Sequence, residues 1–297
     1  MVALDVKDTL ERANWQELEA THKERADKLT ANYRTRRMKG EKHPVEDFLY
    51  TYYSFKPSQL RRWHAGGPIE LIGAQDTERK NWRWYHTTEN GLLFDVEKFM
   101  KDRGNSVLFI HEFLKRSKDR KARFDCFGLH EWAMVYKLKE DATRHQVPLR
   151  LGSKGTDKVV DTHQLKCSHF DAFRFYTKEA KPLNTIRPTR ATQIELEQPG
   201  CLHAGMDLYK WAYKLGPVIS GDLLLDCFEL ALDIRVLDMQ AAPYDLTDWG
   251  YKPVKIETPY GKAEYVKRQK EFTERGNALR KEILKYLENL MNVINNI

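Results

Sequence analysis

The sequence predicts a helix-rich α+β fold, a single domain with a small antiparallel sheet and long N- and C-terminal helices. Three observations lead there. Residues 5–37 form a charged run with a thin apolar stripe, Leu10, Ala13, Leu18, Leu29 and Tyr33. Residues 68–93 hold short alternating runs and an Asn90-Gly91 pair, the signal of a tight hairpin. From Pro259 to the end, Phe272, Leu279, Ile283, Leu287, Leu290 and Ile294 recur at steps of three, four and seven, the spacing of one helix face.

The elements between follow in order. The N-terminal helix, with no apolar signal core in Met1–Asp8, ends in a basic run, Arg34 to Lys42, that reads as a solvated helix end. His43-Pro44 opens an aromatic helix through Tyr53, because proline is tolerated in a first turn. Residues 94–119 predict two short helices broken at Gly104-Asn105, and Cys126 to Leu138 a further helix. Residues 147–177 predict β structure, with a polar turn at Ser153–Asp157. Residues 204–239 predict two helices separated by Gly216-Pro217 and Ser220-Gly221. The organisation is a charged helix over 1–42, a catalytic or binding core over 43–258 and a terminal helix over 259–297.

With 297 residues and 41% hydrophobic content, the chain can bury a sizeable core. No run approaches eighteen apolar residues, so no membrane partner is expected and the location predicted is cytoplasmic. The four cysteines, Cys126, Cys167, Cys201 and Cys227, then read as thiols or metal ligands rather than disulfides. The net charge of +7 favours phosphate-bearing partners, DNA or a nucleobase-like ligand among them.

Three cysteines stand beside a histidine and an acid: Asp125-Cys126-Phe-Gly-Leu-His130-Glu131, Cys167-Ser-His169-Phe-Asp171 and Cys201-Leu-His203-Ala-Gly-Met-Asp207. As a strand, 165–176 would put Cys167, His169, Asp171, Phe173 and Phe175 on one face. As a helix, 202–214 would put His203, Asp207 and Trp211 on one face. Such groups bind a metal or move a proton. The ligand pool for zinc or non-haem iron is Cys126, His130, Cys167, His169, Cys201 and His203. No C-x-x-C, H-E-x-x-H or H-x-E…P-C-x-x-C spacing accompanies them. Core packing of the cysteines and hydrogen-bonded core histidines is the alternative. Asp238 and Asp245 are further acids in or near apolar runs.

Several blocks resemble a family of bacterial, mainly actinobacterial, proteins that carries the label 3-methyladenine DNA glycosylase. They are His43-Pro-Val-Glu-Asp-Phe-Leu-Tyr-Thr-Tyr-Tyr53, Leu60-Arg-Arg-Trp-His64, Cys126-Phe-Gly-Leu-His-Glu-Trp-Ala-Met-Val-Tyr136, Cys167-Ser-His-Phe-Asp-Ala-Phe-Arg-Phe175, Gln198-Pro-Gly-Cys-Leu-His203 with Met206-Asp-Leu-Tyr-Lys-Trp-Ala212, and Pro243-Tyr-Asp245. Together they span residues 43–265. The resemblance implies a DNA-repair hydrolase that excises an alkylated base and needs no cofactor. In that reading the catalytic candidates are Glu131, Asp171, Asp207, His130, His169 and His203, and substrate contacts fall to Trp63, Arg62, His64, Tyr53, Phe173, Tyr209, Trp211 and Tyr244. A metal-dependent small-molecule enzyme and a non-catalytic assembly module, a homo-oligomer through the terminal helices, stand as alternatives.

Overall fold

A computed structural model describes residues 8–138 and 147–295. It is a helix-rich α+β structure with eleven α-helices and one four-stranded sheet among those residues. Strand β1 (Thr9–Leu10) precedes helix α1 (Arg12–Met38), and the short helices α2 (Phe48–Tyr52) and α3 (Pro57–Leu60) follow. Strands β2 (Glu70–Ile72), β3 (Tyr85–Thr87) and β4 (Gly91–Phe94) lead into α4 (Val96–Lys118) and α5 (Leu129–Ala133). Then come α6 (Gly152–Thr162), α7 (Phe170–Phe173), α8 (Gln193–Leu196), α9 (Leu202–Leu215), α10 (Gly221–Gln240) and α11 (Pro259–Asn295).

The sheet runs β1-β2-β4-β3, with β1 parallel to β2 and the other neighbours antiparallel. It is therefore mixed, not purely antiparallel. The difference arises at Asp8–Leu10, expected as helix. That stretch extends along β2, and the Asp8 carbonyl accepts from the Glu70 amide at 3.1 Å. The expectation for residues 5–7 lies outside the described residues.

Arg79 ties α1 to the sheet. Its guanidinium lies 5.8, 5.4 and 4.8 Å from the rings of Trp15, Trp63 and Trp82 and donates to Glu19 at 2.9 Å. Cation–π contacts gain strength where water is excluded, as it is around this buried arginine.

The hairpin of α9 and α10 is the centre of the molecule. Gly216 takes φ +48°, and Ser220 accepts from the Leu223 amide at 3.2 Å to cap α10. Helix α10 is buried on most of its surface, with Asp222, Asp226, Glu229 and Asp233 forming the one charged face that meets solvent. The charged residues among its buried positions are Arg235 and Asp238. Helix α11 packs on α4, α9 and α10. Ile283, Leu287 and Leu290 of its stripe are buried in the chain's own core.

Four expectations are overturned. Residues 94–119 form one helix, because α4 runs unbroken through Gly104-Asn105. Residues 147–177 hold the helices α6 and α7 joined by irregular backbone, with only single bridges at Leu149–Tyr244 and Leu165–Asn184. The sheet does not carry Cys167, His169 and Asp171. The extended backbone ends at His169, which caps α7, and Asp171 sits in that helical turn. Finally, Cys126–Leu138 has a single helical turn, α5, preceded by Phe127 and Gly128 in the left-handed region at φ +50° and +70°. No helix is long and apolar enough to cross a membrane among the described residues.

Candidate active site and metal centre

The left-handed pair Phe127-Gly128 turns the chain sharply, so that α5 enters the core with His130 and Glu131 buried. His130 meets Asp238 of α10, with Nε2 to Oδ1 at 2.7 Å. The other oxygen of Asp238 accepts from Arg235 at 2.8 Å, and the same guanidinium nitrogen reaches Glu131 at 3.1 Å. Cys126 Sγ lies 4.0 Å from the other ring nitrogen of His130, Nδ1.

His203, in the first turn of α9, stands between two other imidazoles. Its ring centroid is 4.4 Å from that of His130, edge to face, and 5.0 Å from that of His169, stacked. His169 Nδ1 pairs with Glu197 at 3.0 Å, and its Nε2 is 3.8 Å from Asp207. Asp207 is held by the Tyr53 hydroxyl at 2.8 Å and by Lys210, one helical turn on. Lys210 also lies 3.5 Å from Asp171.

The elements expected to converge do so. His130, His169, His203, Glu131, Asp171 and Asp207 form one cluster, with Cys126, Cys167 and Cys201 lining a space of about 10 Å³ beside His130 and His203. A larger cleft of about 420 Å³ opens on the other side of His203. Phe48, Tyr52 and Phe175 line it, with Glu131, Asp171 and Arg235 among its polar groups. Phe48 and Tyr52 stack at 5.0 Å.

The three imidazoles are shifted in opposite directions across the cluster. Burial pushes the His130 imidazole down, but the charge and hydrogen bond of Asp238 outweigh it, and His130 is held well above the ordinary histidine range. Burial alone would raise the Asp238 carboxyl, yet His130 and Arg235 bring it below the usual carboxylate range. His169 is likewise raised, because Glu197 and Asp207 outweigh its burial. His203 goes the other way. Burial, then the neighbouring His130, holds it well below the ordinary histidine range. Burial, then Cys126, lifts the Cys167 thiol to about 11, and Cys201 is also held high by burial and by Glu197.

The aromatic and basic residues expected to bind substrate are placed differently. Of these only Tyr53 touches the cluster. Trp63 is sealed in the core under Arg79. Tyr209 packs on Phe228 at 5.0 Å, and Trp211 on Phe113 at 5.3 Å, both buried. Tyr244 belongs to a small separate core with Val135 and Met239. Phe173 packs on Tyr176 at 5.2 Å. Arg62 lies over Trp82 at 5.5 Å, and His64 bonds Tyr85 of β3 at 2.8 Å, both at the sheet. Core packing took these rings because a half-exposed aromatic gains most from full burial. Asp245 is a turn residue, accepting from Thr247. Cys227 is a buried thiol on α10, apart from the other three.

His64 carries a stability consequence instead. Burial, then the Arg79 charge, holds its imidazole down at about 3. A histidine whose folded value lies below its unfolded value of roughly 6.5 costs no stability above that pH. Stability is lost as the pH falls from there towards 3, because the unfolded chain takes the proton first. Between pH 7 and 5 this amounts to at most about 2 kcal/mol. The His64→Gln variant is expected to lose correspondingly less stability over that interval, read from urea midpoints at the two pH values. Equal losses in both proteins would contradict it.

Sequence reasoning missed Glu197 and Arg235. Glu197 sits in a polar run, with only the following Pro-Gly-Cys-Leu-His203 as a pointer. Arg235 is an arginine inside an apolar helix, three residues before Asp238, and that spacing is a usable signal. Comparison of the chain with family models, curated proteins and solved structures finds no match.

Proposed function

We propose that the protein is a metal-dependent enzyme whose divalent iron or zinc ion is held by His130, His203 and Asp238 and whose small substrate occupies the adjoining cleft. One observation carries this reading. The ligand atoms of the three side chains lie within 4.8 Å of one another, and His203 is also part of the cleft wall. Two imidazoles and one carboxylate leave coordination positions open, the arrangement of catalytic rather than purely structural sites. The donor set fits such an ion, since Arg235 occupies one Asp238 oxygen and leaves the other facing His130. A bound ion there supplies Lewis acidity or a redox centre.

The chain's own groups do the rest. Arg235 has two guanidinium nitrogens, Nε and Nη2, without a partner, and they can hold a substrate carboxylate or oxyanion against the cleft wall. Glu131 and Asp171 stand on the same cleft and can take or return a proton. Phe48, Tyr52 and Phe175 bind the apolar part of the substrate and keep water out.

The test is elemental analysis of freshly purified protein. About one equivalent of metal at this centre is expected, lost in His203→Ala and in Asp238→Asn. Less than about a tenth of an equivalent, in a normally folded protein, would end the reading.

A second reading rests on the aromatic lining. A cleft with stacked Phe48 and Tyr52 and two carboxylates can take a flipped cationic base, and the resemblance to the glycosylase-labelled family points to that chemistry. It requires release of methylated adenine from alkylated duplex DNA by metal-free protein. Inactivity on that substrate removes it.

A further inference from the structure

Beyond the proposed catalytic ion, a second group of ligands stands on the far side of the His203–His169 stack. We propose that His169, Glu197 and Cys201 bind a separate zinc ion outside the cleft, with three protein ligands and one water. This does not rest on the reading of His130, His203 and Asp238.

Geometry comes first. The three ligand atoms lie within 4.8 Å of one another, and all three residues are buried. They come from two stretches of chain: the cap of α7, and the short loop from Glu197 after α8 to Cys201 at the cap of α9. An ion here would join the cap of α7 to the loop before α9.

An independent observation points to a ligand. Glu197 is only 2% exposed, and its Oε1 has no hydrogen-bond partner. A carboxylate oxygen left bare in the interior costs at least about 1 kcal/mol, and more because it carries charge. The neighbouring Glu197 oxygen meets His169 Nδ1, a contact that gives way when Nδ1 takes the ion, and the bare oxygen is available to it as well.

Charge and ligand type select the ion. One carboxylate and one thiolate match the charge of a dication. A thiolate, an imidazole and a carboxylate together suit zinc and disfavour magnesium or calcium, which take oxygen ligands. The fourth tetrahedral position falls to a single water. The space of about 10 Å³ lined by Cys201, Cys126 and Cys167 is of the size one water requires.

The surroundings orient the histidine as metal sites do. With Nδ1 on the ion, Nε2–H points to Asp207, 3.8 Å away. Asp207 is itself fixed by Tyr53 and Lys210. A carboxylate behind a ligating imidazole sets its tautomer and orientation. The same arrangement removes Asp207 from the ligand set, because Lys210 already neutralises it.

The experiment substitutes cobalt for zinc in the full-length protein and reads sulfur-to-cobalt charge-transfer absorption, alongside zinc affinity by competition with a chromophoric chelator. The wild-type protein is expected to show the thiolate band. Cys201→Ser is expected to lose it and to bind zinc at least about 100-fold more weakly, more than the 10–100-fold typical of second-layer changes. Glu197→Gln is expected to weaken zinc comparably. His203→Ala is expected to keep the band, which separates this site from the catalytic centre. A wild-type protein without the band overturns the proposal whatever the variants do. A band that survives Cys201→Ser also overturns it, because another thiol would then be the ligand.

Discussion

Replacing Asp238 by alanine is expected to remove about 3–5 kcal/mol of folding free energy, the cost of breaking one partner out of a buried ionic network. Asp238 is 0% exposed and accepts from both His130 and Arg235. Without it, Arg235 keeps Glu131 at 3.1 Å, but two of its other guanidinium nitrogens already lack partners. The pH dependence identifies the mechanism. His130 is raised in the folded state, so its contribution is complete below about 6.5 and is lost as the pH climbs through the raised value. Asp238 is lowered, so its contribution is complete above about 3.9 and is lost only as the pH falls through the depressed value. The gap between wild type and variant is therefore widest from about pH 4 to 6.5 and narrows in alkali. Urea denaturation with chelator present at pH 5.5, 7.5 and 9 measures it. Asp238→Asn, which keeps a hydrogen-bonding side chain, should lose less and still show the narrowing. A gap that does not change with pH would mean that the lost stability is packing rather than charge.

The same residues show what could be read from the sequence. The i, i+4 spacing of His203 and Asp207 on α9 was legible, because helical periodicity is local and α9 is strongly amphipathic. Trp211, one turn further, leaves the cluster for α4, since the face turns past the site as the helix proceeds. Cys167 and His169 do approach the cluster, and extended backbone supplies their i, i+2 spacing, but the strand stops there. Asn184 takes over the pairing, with its side chain accepting from the Cys167 amide at 2.8 Å and donating to the Cys167 carbonyl at 2.9 Å. A side chain that mimics a neighbouring strand leaves no trace in alternation. The long-range pairs were out of reach for a different reason. His130 and Asp238 are 108 positions apart, and nothing in either segment specifies the other. The Cys/His/acid pattern pointed to a site, while the hydrogen bonds that assign roles within it arise from tertiary packing.

Two glycines are expected to respond to alanine with opposite signs, and the larger effect belongs to Gly91. As part of Asn90-Gly91 it reads as a turn residue, yet its φ is not positive and it is the first residue of β4. What requires glycine is the neighbouring strand. A Cβ there would lie 2.0 Å from the Leu71 carbonyl oxygen and 2.7 Å from its carbon. Both atoms are backbone, held by the pairing of Ile72 with Gly91 and of Leu71 with Leu92, so no side-chain rotation relieves the clash. Relief requires β2 and β4 to part, which uncovers Leu71 and Leu92 from the core. Gly91→Ala should therefore cost about 3 kcal/mol or more, at the upper end for overpacking. Gly104 is the contrast. It lies inside α4, where a Cβ would meet only the flexible end of Met100 at 3.5 Å. There alanine restricts the unfolded chain at no steric cost and should add about 0.5–1 kcal/mol. Urea midpoints of the two variants decide the matter together. A Gly91→Ala protein as stable as wild type would show that the strands are not in this register, and a destabilised Gly104→Ala protein would mean that α4 breaks where its sequence first suggests.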